Sequence, residues 1–164
     1  MSTQTKIENT PDIHFTSPKS CFVGNTMITL SDGTYIKIED IKIGDKVKSY
    51  DMETEKLKNS IVEEICTPIY ENIIEYAFRD NTKIQCTDDH PIYPFWTKNK
   101  GWTSKLELGD MVFMPVENKF TELIGYTPIK TDGIQTYNLG KLNNNYNYFI
   151  NRILVHNYHL LSQK

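Results

Sequence analysis

Cysteine is scarce in this chain of 164 residues, which holds only Cys21, Cys66 and Cys86. Three cysteines cannot close a disulfide framework, so at least one stays a thiol and a packed core must hold the fold together. Charge of one sign is lacking too. The 18 Lys+Arg and 21 Asp+Glu leave a formal net charge of −3, and no basic block exceeds two residues. Nucleic acid and anionic membranes are therefore not expected as partners, because both require concentrated positive charge. No apolar run approaches the roughly 18 residues of a membrane span, and the polar stretch Met1 to Ser20 has no apolar signal-peptide core. The chain reads as soluble and carries no address. With 38% hydrophobic residues it suffices for one ordinary globular domain with a real core.

Helical periodicity is also nearly missing. The first 20 residues hold Ser, Thr, Asn, Lys and two prolines without a period, and read as a flexible leader. From Met27 onward the chain becomes short β-branched and aromatic segments parted by turn residues: Met27–Leu30, Tyr35–Ile38, Lys46–Tyr50, Ile61–Cys66, Ile73–Phe78, Lys83–Thr87, Met111–Val116, Gln135–Leu139 and Tyr148–Val155. That texture predicts an all-β domain. Helical turns are expected only at Ile38–Ile41 and Thr103–Leu106, and Asn143-Asn144-Asn145 reads as a polar, low-complexity loop. One internal echo stands out. Ile41-Lys42-Ile43-Gly44-Asp45-Lys46-Val47 repeats as Leu106-Glu107-Leu108-Gly109-Asp110-Met111-Val112. Either a common turn recurs by chance, or a β-unit is duplicated about a pseudo-twofold axis, each apolar pair facing the core and each Gly-Asp turning into the next strand.

Three places carry possible chemistry. Cys21 stands where the leader meets the first strand, beside its own upstream carbonyl, so its thiol can exchange the Ser20–Cys21 amide for a thioester through a five-membered ring. A buried hydrophobe is the plainer reading of a lone cysteine. Near the other end, Val155-His156-Asn157 closes an apolar strand. An Asn side-chain amide can attack its own main-chain carbonyl, form a succinimide and release the segment beginning at Tyr158, given close geometry and a neighbouring proton donor such as His156. A strand end leading into a turn is the plainer reading. Between them, Thr87-Asp88-Asp89-His90-Pro91 sets a hydroxyl and an imidazole three residues apart, able to orient one peptide bond and protonate its nitrogen. A solvated Asp-rich turn is the alternative.

Taken jointly, these motifs are far more specific than separately. Cys21-Phe22-Val23-Gly24-Asn25-Thr26-Met27-Ile28-Thr29-Leu30-Ser31-Asp32-Gly33 opens the pattern, and Ile84-Gln85-Cys86-Thr87-Asp88-Asp89-His90-Pro91 lies in its middle. Tyr137-Asn138-Leu139 and Asn147-Tyr148-Phe149-Ile150-Asn151-Arg152-Ile153-Leu154-Val155-His156-Asn157 close it. The arrangement resembles the Hint superfamily: inteins, bacterial intein-like domains and the autoprocessing domain of hedgehog proteins. That resemblance implies a horseshoe-shaped all-β fold with pseudo-twofold symmetry over residues 21–157, without room for a homing endonuclease. Residues 1–20 and 158–164 would be its flanks.

The resemblance further implies single-turnover self-processing in cis. Cys21 would attack the Ser20 carbonyl with Thr87 and His90 acting on the amide, and Asn157 would cyclise with His156. Cleavage at both junctions would result, and ligation of the flanks if the freed Tyr158 amine attacks the thioester. No cofactor is implied, and a monomer is expected. Cys66 and Cys86 are expected in the core. Zinc is a side reading through Cys86, His90 and Cys66, unsupported by any CxxC pair. The sequence departs from the family where an acyl-accepting Cys, Ser or Thr usually comes after the terminal Asn: Tyr158 stands there, and a phenol is a poor acceptor. Asn138 replaces a usual Asp, and Tyr146 a usual His. Two rival readings remain, an inert Hint-fold spacer and a trans-acting cysteine protease using Cys21, His90 and Asp88.

Overall fold

A computed structural model describes residues 21–88, 94–103 and 106–157. The described strands are β1 (Phe22–Val23), β2 (Met27–Thr29), β3 (Tyr35–Lys37), β4 (Lys46–Asp51), β5 (Lys56–Cys66), β6 (Ile69–Phe78), β7 (Lys83–Thr87), β8 (Phe95–Thr97), β9 (Gly101–Thr103), β10 (Met111–Met114), β11 (Lys119–Leu142), β12 (Asn147–Ile150) and β13 (Ile153–His156). The expected all-β class holds. A single 3-10 turn, Ile38–Asp40, is the only helical element among the described residues. Thr103, expected in a second helical turn, instead closes β9, and Ser104 and Lys105 lie outside the described residues.

Strand β11 sews the sheet together. Over its 24 residues it pairs in turn with β10, β6, β1 and β5, every pairing antiparallel, with register shifts after Leu123, Lys130, Leu139 and Lys141 that let one strand bend past four partners. The sequence pattern marks only its Gln135–Leu139 segment. The stretch before it carries Gly125, Pro128 and Gly133, residues that ordinarily punctuate strands; here they sit in a half-exposed ribbon paired with β6. A second correction concerns Tyr148–Val155, which is not one strand but the hairpin β12–β13. Asn151 and Arg152 form its two-residue turn, both at positive φ (+46° and +71°), the geometry that matches the twist of tight hairpins. Asn151 is held there, its Oδ1 accepting from the Met27 N–H at 2.8 Å.

The repeated Gly-Asp unit proves structural down to its hydrogen bonds. In the first copy the Lys42 N–H donates to Asp45 Oδ2 at 2.8 Å, and the Gly44 N–H and Val62 N–H exchange bonds with Val62 and Asp45 carbonyls at 2.8 and 2.9 Å. In the second, the Glu107 N–H donates to Asp110 Oδ2 at 2.8 Å, and Gly109 and Leu123 repeat the exchange at 2.9 and 2.8 Å. Gly44 and Gly109 sit at φ +100° and +93°, where a side chain is strained. Only the first apolar residue of each pair faces the core: Ile41 and Leu106 are buried, whereas Ile43 and Leu108 are 67% and 61% exposed. With the turn opening directly after Ile43 and Leu108, these side chains project with the turn rather than with a strand face.

The main core gathers Phe22, Ile28, Val47, Tyr76, Ile84, Phe95, Val112, Leu139 and Tyr148 among its buried residues, and thus joins both copies of the repeat. Since the two turns are equivalent, Gly44→Ala and Gly109→Ala should each lower stability by about 1–3 kcal/mol. Their effects should add in the double variant to within about 0.5 kcal/mol, as read from urea midpoints.

Candidate functional site

The ladders around β1 set the site. Phe22 faces Cys86 on β7 and Tyr137 on β11, and Asn138 faces Cys66 on β5. One residue back along β1, the Thr87 N–H donates to the Cys21 carbonyl at 2.9 Å. Because cross-strand neighbours share a face, Thr87, Cys21, Asn138 and Cys66 form a row across four strands. Phe22 and Cys86 point to the opposite face, into the core. All four residues of the row are buried.

Within that row the Cys21 N–H donates to Thr87 Oγ1 at 3.4 Å. This nitrogen belongs to the Ser20–Cys21 peptide bond, so the threonine hydroxyl touches the bond that the sequence singles out. His90 and Ser20 lie outside the described residues. Cys66 and Cys86 are buried as expected, but they face opposite sides of the sheet, an arrangement that does not suit a shared zinc. No group of three metal-ligating side chains occurs among the described residues.

Above the row stands Tyr148 from β12. Its hydroxyl accepts the Leu139 N–H at 3.3 Å and donates to Asn138 Oδ1 at 2.6 Å. Since the incoming N–H leaves the phenol proton to be given away, the asparagine must turn its oxygen toward Tyr148. Its Nδ2 is then left buried without a hydrogen-bond partner among the described residues. Burial pushes the Tyr148 phenol well above the ordinary tyrosine range; the Leu139 N–H partly opposes this, and the Cys21 and Cys66 thiols add to it. In the sequence Tyr148 is only one member of the closing motif. Its role depends on a bond to a residue ten positions away.

At the C-terminal end, His156 closes β13, opposite Asn147. Its N–H donates to the Pro94 carbonyl at 2.8 Å, and its imidazole Nδ1 lies against the main-chain carbonyl oxygen of Asn157. That oxygen belongs to the Asn157–Tyr158 bond, while Tyr158 itself lies outside the described residues. The Asn157 N–H donates to the Tyr146 carbonyl at 2.8 Å, and both His156 and Asn157 are buried. The sequence suggests that His156 serves the departing amine. Its contact here is with the carbonyl.

Nor is the 143–145 loop mere low complexity. Asn143 Oδ1 accepts from the Ile61 N–H at 2.8 Å, Asn144 Oδ1 from the Ser60 hydroxyl at 2.6 Å, and Asn145 Nδ2 donates to the Tyr50 carbonyl at 2.9 Å. Asn147 extends this seam, receiving the Tyr50 N–H and donating to its carbonyl at 2.8 and 2.9 Å. Each asparagine replaces missing strand pairing with side-chain bonds, and together they fix the entry to β12 that carries Tyr146 and Tyr148.

No protein-family model matches the chain, and no curated protein matches it by sequence. Solved structures do. A bacterial intein-like domain from Clostridium thermocellum is 28% identical with a TM-score of 0.74, covering 84% of this chain and 98% of its own. A DnaB intein from Synechocystis sp. PCC 6803 is 19% identical at a TM-score of 0.69, with the same coverages of 84% and 98%. The TvoVMA intein is 18% identical at 0.67, covering 85% of this chain and 98% of its own. The chain has the Hint fold, and its structural neighbours are a bacterial intein-like domain and inteins. Among its described residues no helix is long and apolar enough to cross a membrane.

Tyr148→Phe keeps the ring and strands two buried groups, Asn138 Oδ1 and the Leu139 N–H. It should cost about 1–3 kcal/mol in urea unfolding. The protonated phenols give a further expectation. Burial raises both Tyr148 and Tyr76 above the ordinary value of 10.0, so the fold keeps protons that the unfolded chain releases. Stability from this source is fully present below pH ~10 and falls as pH rises beyond it, which urea midpoints at pH 8, 10 and 11 should record.

Proposed function

We propose that residues 21–157 are a self-processing Hint domain acting in cis on its flanks, residues 1–20 and 158–164. The observation that carries this reading is that both candidate scissile bonds are held by the side chains the chemistry needs. The Cys21 nitrogen rests on Thr87 Oγ1, and the Asn157 carbonyl rests on His156 Nδ1.

In the first step the Cys21 sulfur attacks the Ser20 carbonyl carbon. The bond to the Cys21 nitrogen breaks, the thiol proton ends on that nitrogen, and a thioester replaces the amide. Thr87 orients the amide and His90 supplies the proton in transit. Water or an added thiol then releases the leader. In the second, the Asn157 side-chain nitrogen attacks the Asn157 carbonyl carbon to form a succinimide, and the bond to the Tyr158 nitrogen breaks with a proton passing to the new amine. An Nδ1–H of His156 at the carbonyl oxygen stabilises the charge that builds there. With Tyr158 a poor acyl acceptor, cleavage at the two junctions is the expected outcome, and ligation occurs only if the freed Tyr158 amine captures the thioester. Each event occurs once per molecule, by a monomer and without a cofactor.

An inert Hint module is the second reading, favoured by Asn138, Tyr146 and Tyr158. A protease acting in trans is disfavoured by burial: Cys21 is fully covered, whereas attack in cis needs only the adjoining carbonyl.

Intact mass measured over time separates these readings. The leader ending at Ser20 should be lost faster with added thiol and not at all in Cys21→Ala; Thr87→Ala should slow the loss by roughly 100-fold or more. Release of the peptide beginning at Tyr158 should vanish in Asn157→Ala. A constant mass under every condition would establish the inert module, and hydrolysis of an added substrate the protease.

A further inference from the structure

The His156 imidazole lies between two aromatic rings. Trp102 from β9 meets it edge-on, with centroids 4.8 Å apart and planes at 88°. Tyr146, just ahead of β12, covers it 4.7 Å away and tilted by 35°. Each ring is itself anchored. Trp102 faces Trp96 across the β8–β9 ladder with centroids 5.3 Å apart. Tyr146 accepts the Asn157 N–H on its carbonyl, and its own N–H donates to Asn145 Oδ1 at 2.8 Å. One residue therefore grips both the imidazole, through its side chain, and the reacting asparagine, through its main chain.

The imidazole needs such a grip. The outer torsion of a histidine is broad and roughly two-fold, and a half-turn of the ring exchanges Nδ1 for a carbon at the Asn157 oxygen. A tilted ring on one side and a perpendicular ring on another oppose that rotation from two directions. Resting on the self-processing reading, we propose that Trp102 and Tyr146 are positioning residues for the asparagine step: they hold His156 with Nδ1 on the Asn157 carbonyl. Tyr146, a departure from the family pattern, thus keeps a function by shape rather than by titration.

The test uses the full chain. In a Cys21→Ala background, which isolates the C-terminal step, Tyr146→Leu and Trp102→Leu should each slow release of the Tyr158 peptide by about three- to tenfold. Tyr146→Phe and Trp102→Phe should restore it. With Cys21 intact, thiol-induced loss of the leader should proceed at the parent rate in all four variants. Nitrogen-15 signals of the His156 ring should change in the leucine variants alone. Release at the parent rate from the leucine variants with unchanged ring signals would overturn the proposal, as would equal slowing of both junctions, which marks a general loss of fold. If the Cys21→Ala parent releases nothing, the asparagine reading itself fails. The ring signals then decide the clamp: changed in the leucine variants they uphold it, unchanged they overturn it.

Discussion

The 2.6 Å hydrogen bond from Tyr148 to Asn138 joins the two halves of the site. Asn138 belongs to the row that includes Cys21, while Tyr148 belongs to the hairpin that ends in His156. Both partners are buried, so an unmade bond would leave polar atoms in a dry interior. That penalty pins the C-terminal hairpin over the N-terminal row. The Leu139 N–H sets the direction of the bond, which in turn decides that Asn138 offers its oxygen to Tyr148 and keeps its amide nitrogen buried and without a partner among the described residues. Where the family pattern has a carboxylate, this chain presents a neutral donor.

Much of this was legible in the sequence, for identifiable reasons. Short β-branched runs between turn residues report strands directly, and the Gly-Asp echo survives because a positive-φ glycine and an Asp that bonds back to Lys42 or Glu107 are each required by the turn. Cys21 lies beside Thr87, and His156 lies beside the Asn157 carbonyl rather than the departing amine to which the motif reading assigns it. The features that escaped have a common cause. The β12–β13 turn was hidden because Asn151-Arg152 lacks glycine and is bracketed by apolar residues on both sides. The length of β11 was hidden by Pro128 and Gly133, whose usual meaning fails on a half-exposed ribbon. The Trp102, Tyr146 and Tyr148 contacts arise only when distant strands come together, and no local pattern announces such a meeting.

The asparagines at 143–145 show the same limit from the opposite side. Composition alone marks them as a low-complexity loop, yet each has a distinct partner on β4 or β5, or on the residues beside them. Side-chain amides here do what backbone ladders do elsewhere, because a loop crossing a sheet edge leaves donors and acceptors that must be met. Their bonds bear on the site, since the chain enters β12 directly from this seam.

The register of β1 and β13 has one more consequence. Every described ladder partner of these two strands lies within residues 22–156, and Cys21 and Asn157 take their described main-chain bonds from Thr87 and Tyr146, also inside that span. Among the described residues, no rung of these two strands reaches beyond that span. Under the self-processing reading, these described ladders would be the same before and after the flanks are cut. The energy of such a reaction would then come from the bonds exchanged at its margins, with the sheet holding them in place.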